Sequence, residues 1–270
     1  MHRTFTETQE RSIRDSKGHR HGFTLIELLV VIAIIALLLS ILIPSLSRAR
    51  QAAKAVVCGS NMRGIMQALY LYAGDHRDQL VSAGLGHGGV HGNEQAAWIN
   101  TLKKDYGENT LIARCPTDMS EHWEVPIAPV TAGNGSDPPH ADEATEPILR
   151  RTSYGTNFYI AGSVNGKGPY NKLGMIKRPI TTISMVELVE AGPFATSDHV
   201  HPENWWSNPR VLALHEMALD RHRKKANYSF FDGHVAMEGF EDTYLIDNQR
   251  SGLRTGLVWK RNYYDPDVAR

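Results

Sequence analysis

Residues Gly22–Pro44 read GFTLIELLVVIAIIALLLSILIP. From Phe23 to Ile43 this run carries one charge, Glu27, among residues that are nearly all Leu, Ile, Val and Ala. Twenty-one residues at about 1.5 Å rise make a helix of roughly 30 Å, the thickness of a bilayer's hydrocarbon core. The run is apolar on every side. That excludes an amphipathic surface helix and disfavours a core helix, because a soluble domain seldom covers all faces of so long an element. A carboxylate near the start of such a helix is costly in lipid. Either Glu27 has a partner, or it lies at the membrane surface and stays wet.

The flanks narrow the choice. Gly22 precedes Phe23, Glu27 is the fifth residue counted from Phe23, and a short polar segment with Lys17, His19, Arg20 and His21 lies upstream. This pattern resembles the N-terminal signature of type IV prepilins and type II secretion pseudopilins. The resemblance implies that residues 1–22 are a leader and that a prepilin peptidase cuts between Gly22 and Phe23. It also implies N-methylation of Phe23. Glu27 matches the glutamate that neutralises a neighbouring subunit's terminal amine during assembly, and Pro44 matches the helix-kinking proline of many members. The implied partners are the peptidase, other pilin-like subunits and inner-membrane lipid. Basic residues on the two flanks, Lys17 and Arg20 against Arg48, Arg50 and Lys54, are nearly balanced. The expected orientation, single-pass with the C-terminal domain periplasmic, therefore rests on the resemblance.

The bulk composition excludes little beyond nucleic acid. The chain has 270 residues, with 29 Lys+Arg and 29 Asp+Glu. Removing the leader takes away five basic and three acidic residues, so the remainder stays close to neutral. A general nucleic-acid binder would carry a basic excess. Beyond the span, about 200 residues suffice for one sizeable domain. Its 23 Gly and 13 Pro, counted over the chain, point to a loop-rich architecture.

Residues 45–75 are expected to continue the helix past Pro44. Cys58, Met62, Ile65, Leu69 and Tyr72 recur at intervals of four and three, which is one apolar stripe, and Gly74-Asp75 marks the stop. Residues 76–270 then form the head. A short helix is expected over 94–106 and strands over 111–115, 151–164 and 181–189. Loops are expected at 82–93, 118–148 and 192–210. Of the adjacent Trp205 and Trp206, one is expected to cover the core and the other to face outward. Asp232-Gly233, between two alternating runs, signals a β-hairpin over 226–240 with Phe230 beside Val235 and Tyr228 beside Met237 on the core face. Residues 241–270 read as a surface extension with one more strand. The expected fold is α+β and pilin-like: a long N-terminal helix, membrane-spanning over 23–44 and amphipathic beyond, packed on an antiparallel sheet that ends in the hairpin.

A second resemblance spans much of the chain. His222, nine intervening residues and Asp232-Gly233 are similar to a His-x9-Asp-Gly pattern found near the C-terminus of one group of prepilin-like proteins. The segments at 58–78, CPTD at 115–118 and SYGTN at 153–157 are similar to that group too, and no biochemical activity accompanies it.

For chemistry the residues are less directive. Cys58 and Cys115 can form a disulfide outside the cytoplasm, or remain two buried thiols. Neither has a CxxC partner, so cysteine spacing gives no zinc site. Asp198, His199, His201 and Glu203 are the metal candidates by proximity in sequence. His222, Asp232 and His234 are a second grouping, if folding brings them together. The favoured reading makes all of these turn, strand and loop residues without metal. No cofactor is expected. Calcium is the one alternative, with Asp137, Asp142, Glu143, Asp198 and Glu203 as oxygen donors by composition. The chain has no Gly-x-Ser-x-Gly, no HExxH and no phosphate-binding glycine loop. The expectation is a structural subunit and not an enzyme. The competing class is a membrane-tethered binding or metal-dependent enzymatic domain on a prepilin stem.

Overall fold

The computed structural model describes residues 23–85, 94–107, 110–124, 149–162, 168–246 and 259–269. The leader with Gly22, the glycine-rich 86–93 and the loop carrying Asp137, Asp142 and Glu143 lie outside the described residues. The chain divides into two compact units, the first ending at Ser47 and the second beginning at Arg48.

Helix α1 runs from Leu25 to Asp75, with Pro44 inside it. Every side chain from Phe23 to Ser47 is exposed. Pro44 has no N–H to offer the carbonyl one turn earlier, so a backbone hydrogen bond is missing there. Ser40 and Ser45, flanking that gap, donate from Oγ to the carbonyls of Leu37 (2.6 Å) and Leu42 (2.8 Å).

Within the second unit α1 becomes one-sided. Cys58, Met62, Ile65 and Leu69 are fully buried, joined by Ala55, Met66, Ala68 and Ala73, and Tyr72 is partly buried. The apolar stripe expected from the spacing is therefore the core face. Gly59 allows close approach here: a Cβ on it would stand 3.4 Å from Asn227 Oδ1 and 3.6 Å from Val235 Cγ1.

Five strands make the main sheet: β1 (Tyr154–Asn157), β2 (Ile183–Glu187), β3 (His199–Val200), β4 (Ala226–Phe230) and β5 (Val235–Glu238), in the order β3-β1-β2-β4-β5. The sheet is mixed, which corrects the antiparallel expectation. β1 pairs antiparallel with β2 but parallel with β3. The eleven-residue connection from β2 to β3 returns at the same end of the sheet, so β3 runs opposite to β2 and alongside β1. β1, β2 and β4 are buried at every position, and β5 is the half-exposed edge. Strands buried on both faces lose the alternation that marks half-buried ones.

The hairpin is present with its register shifted by one residue. Ser229 faces Val235 and Tyr228 faces Ala236, while Met237 is exposed. Phe230 N donates to His234 O (3.0 Å) and Gly233 N donates to Phe230 O (2.9 Å), so the loop holds three residues, Phe231–Gly233. Gly233 at φ +90° closes it. A three-residue loop with a left-handed glycine competes with the two-residue turn that Asp-Gly suggests.

Other segments depart from expectation. Residues 111–115 form no strand: Thr110–Ala113 is a 3-10 turn. The 94–106 helix is reduced to a 3-10 turn at Glu94–Ala96 and one helical turn at Trp98–Thr101. Residues 192–210 hold β3, a 3-10 stretch at Pro202–Ser207 and the start of a helix at Pro209–Ala213. The described parts of 241–270 are no surface extension. They carry β6 (Tyr244–Ile246) paired with β7 (Trp259–Asn262), and Tyr244 and Tyr264 are fully buried. Trp205 packs edge-on against Phe240, Tyr244 and Tyr264 with ring centroids 5.2–5.8 Å apart. Trp205 is thus the core tryptophan, and Trp206 is half-buried. The aromatics there are too widely spaced to give a strand pattern, yet Tyr244 and Tyr264 fill core positions.

Candidate functional site

At the start of α1, Thr24 and Glu27 form a reciprocal cap. The Glu27 carboxylate accepts from Thr24 N (2.9 Å) and Thr24 Oγ1 (2.8 Å), and Glu27 N donates to Thr24 Oγ1 (3.3 Å). This is the Ser/Thr-x-x-Glu capping box, which satisfies amides that the first helical turn cannot. Thr24 was not among the expected site residues, although its three-residue spacing from Glu27 is the signal. Phe23 precedes the cap and is exposed. Glu27 is therefore held beside Phe23, with its carboxylate at the solvent-accessible end of the apolar run.

The second cluster lies in the head. Cys58 comes from α1, Cys115 from the turn after the 3-10 segment, Glu187 from the end of β2 and His222 from the turn before β4. One donor atom from each lies within 4.8 Å of the other three, and all four residues are buried. Both cysteines are free thiols. Glu187 Oε1 accepts from Cys58 Sγ, from His222 Nε2 (2.8 Å) and from Asn227 Nδ2 (3.3 Å). Glu187 Oε2 accepts from Asn227 N (3.1 Å). His222 Nε2 is 3.8 Å from Cys115 Sγ, Tyr154 Oη is 3.2 Å from Cys58 Sγ, and Thr117 Oγ1 is 3.1 Å from Cys115 Sγ. Burial opposes charge on His222, but Cys115 and Glu187 beside it push its pKa up to about 9. Burial and its two acidic neighbours push the Cys58 thiol up.

Next to this cluster sits a buried ion network. Arg150 Nη2 pairs with Asp118 Oδ2 at 2.7 Å, and both side chains are fully buried. Ser153 Oγ donates to the same carboxylate at 2.6 Å. Arg221 Nη2 stands 3.7 Å from Asp118 and 3.2 Å from Glu190. Burial pushes the Asp118 carboxyl up, but Arg150 and Arg221 outweigh it and hold the group below the usual carboxylate range. The CPTD and SYGTN segments thus meet through Asp118 and Ser153, and SYGTN meets the 58–78 segment through Tyr154 and Cys58.

Of the remaining candidates, His199 and His201 lie together, their ring centroids 4.7 Å apart. Asp198 is buried, and its carboxylate accepts from Gly84 N (2.9 Å) and Leu85 N (3.1 Å) and pairs with His199 Nδ1 (2.8 Å). His201 pairs with Glu216 instead, which also accepts from Trp205 Nε1. Glu203 lies in the following 3-10 stretch. His222 does not meet Asp232 and His234, because the length of β4 separates them. Asp232 Oδ1 accepts from His234 N (3.1 Å) in the hairpin loop, and His234 stacks on Phe230. Glu187, which joins His222 to the cysteines, was missed by sequence reasoning. Its signal is a lone carboxylate inside the apolar run ISMVELV.

Residues 17–43 match the family model of the prokaryotic N-terminal methylation motif. No curated protein and no solved structure matches the chain. The N-terminal segment is type IV prepilin- or pseudopilin-like. The motif supports a processed, pilin-like subunit, and with the apolar start of α1 it fits a single-pass membrane anchor. It also suggests a structural role in preference to an enzymatic one.

Proposed function

We propose that this chain is a pseudopilin-like structural subunit that a prepilin peptidase cuts between Gly22 and Phe23. The new Phe23 amine is methylated, the mature chain is held in the inner membrane by residues 23–44 with its head periplasmic, and it then packs beside other pilin-like subunits. The observation that carries this reading is the first half of α1: an apolar helix exposed on all faces, with one carboxylate next to the future N-terminus. So large an exposed apolar surface requires lipid or other subunits to cover it. A carboxylate placed four residues from a new amine has an opposite charge to meet in a neighbouring chain, where low dielectric strengthens the attraction. Pro44 lies between the exposed part of the helix and its buried stripe.

Fractionation tests the proposal. The chain is expected in membranes, extractable with detergent but not with high salt, and a processed pool is expected in sheared surface filaments or periplasmic assemblies with other pilin-like subunits. A chain found wholly in the soluble fraction would contradict it.

A further inference from the structure

We propose that Cys58, Cys115, Glu187 and His222 form a closed, four-coordinate structural zinc site in the head. The donor set carries the argument first. Two thiols, an imidazole and a carboxylate are the ligand types that zinc takes, and four protein ligands with no open position mark a structural site. All four donor atoms lie within 4.8 Å of one another. Tetrahedral zinc, with bonds of about 2.0–2.3 Å, sets its ligand atoms roughly 3.4–3.8 Å apart. His222 Nε2 and Cys115 Sγ already stand at 3.8 Å. To admit the ion, Glu187 Oε1 and His222 Nε2, at 2.8 Å, open by about half an ångström, and Glu187 Oε1 and Cys58 Sγ, at 2.5 Å, by about one ångström.

The hydrogen bonding of the cluster points the same way. Three donors, from Cys58, His222 and Asn227, converge on one oxygen of Glu187. An oxygen with two lone-pair sites is oversubscribed by three donors. An ion in place of the Cys58 and His222 protons removes that crowding and leaves Asn227 as a supporting donor. On binding, the two sulfurs and His222 Nε2 give up the protons they carry.

Charge also balances. Two thiolates, one carboxylate and a divalent ion leave one negative charge in a buried place. Arg221, within electrostatic reach of Glu187 and Cys115, supplies the compensating positive charge. Its side chain is 2 % exposed, and among the described residues its Nε and Nη1 have no hydrogen-bond partner. Buried guanidinium nitrogens without acceptors are costly, and the negative charge of the ligand set is what they face. Thr117 and Tyr154, beside the two sulfurs, complete an outer ring of the kind that orients metal ligands.

The four ligands come from four separate segments, so the ion would tie the outer part of α1, the 115–118 turn, β2 and the turn before β4 at one point. In this loop-rich head such a tie contributes to folding. It also gives His222 a role that the hairpin at the other end of β4 cannot.

The test uses the full chain, extracted in detergent and purified without chelator from zinc-supplemented cells. Elemental analysis is expected to find about one zinc per chain, released when a mercurial blocks the thiols. After exchange into cobalt, the absorption of tetrahedral cobalt with thiolate-to-cobalt charge transfer is expected. Cys115→Ser and Glu187→Gln should lower the bound zinc. Should those variants fail to fold, the wild-type cobalt spectrum still decides. A wild-type chain that holds neither zinc nor cobalt would overturn the proposal. So would peptide mapping that finds Cys58 and Cys115 joined as a disulfide, or undiminished zinc in a folded Cys115→Ser chain.

Discussion

Glu27→Leu is expected to insert in the membrane and lose its leader normally, yet to vanish from the sheared filament fraction. Leucine is cheaper in lipid than a carboxylate, so insertion has no reason to suffer. In the proposed processing the cut falls between Gly22 and Phe23, ahead of the substituted position. On that reading, what is lost is the charge partner for a neighbour's Phe23 amine, and with it the contact proposed to set axial register between subunits. The capping box offers a competing explanation, since Glu27 also satisfies its own helix through Thr24. Thr24→Ala separates the two. It removes a capping side chain, a loss of about 1 kcal/mol in helix stability, while keeping the carboxylate. Assembly should persist in Thr24→Ala and fail in Glu27→Leu. If both variants assemble alike, the charge-pair account is wrong.

Asp118→Ala is expected to destabilise the head by about 3–5 kcal/mol, the cost of leaving a buried charge uncompensated. Arg150 and Asp118 are fully buried, and Arg221 faces the same carboxylate. Against a typical total stability of about 5–15 kcal/mol, that loss is large. The pair also sets a pH dependence. The Asp118 carboxyl is held below its ordinary range in the folded state. Its stabilisation is therefore complete above the unfolded value of about 3.9 and is lost as pH falls through the lower folded value. Urea unfolding of the detergent-extracted chain across acidic pH should show this loss in the wild type and not in Asp118→Asn. A change below about 1 kcal/mol in Asp118→Ala would show that the network contributes as little as an exposed pair.

How much of this was legible in the sequence follows from the range of each signal. The apolar run and the stripe from Cys58 to Leu69 are local periodicities, and α1 follows them closely. The hairpin was legible as a turn, but its register depends on one loop residue that Asp-Gly does not reveal. The strands were harder because β1, β2 and β4 are covered on both faces, which erases alternation. The buried cluster was nearly invisible: Cys58, Cys115, Glu187 and His222 are brought together only by the fold. Metal spacing within a motif cannot announce ligands drawn from four segments. Two acids set in apolar runs, Glu27 and Glu187, were equally conspicuous in the sequence, and only the first was read as functional.

The central claim is that this chain is trimmed at Gly22 to expose Phe23 beside an apolar helix built for lipid and for other subunits. Intact mass and N-terminal peptide mass of the membrane-extracted protein, from cells with an active prepilin peptidase, test it most directly. The predicted result is a chain that begins at Phe23 and carries one added methyl group. A full-length chain that still bears residues 1–22 would contradict it.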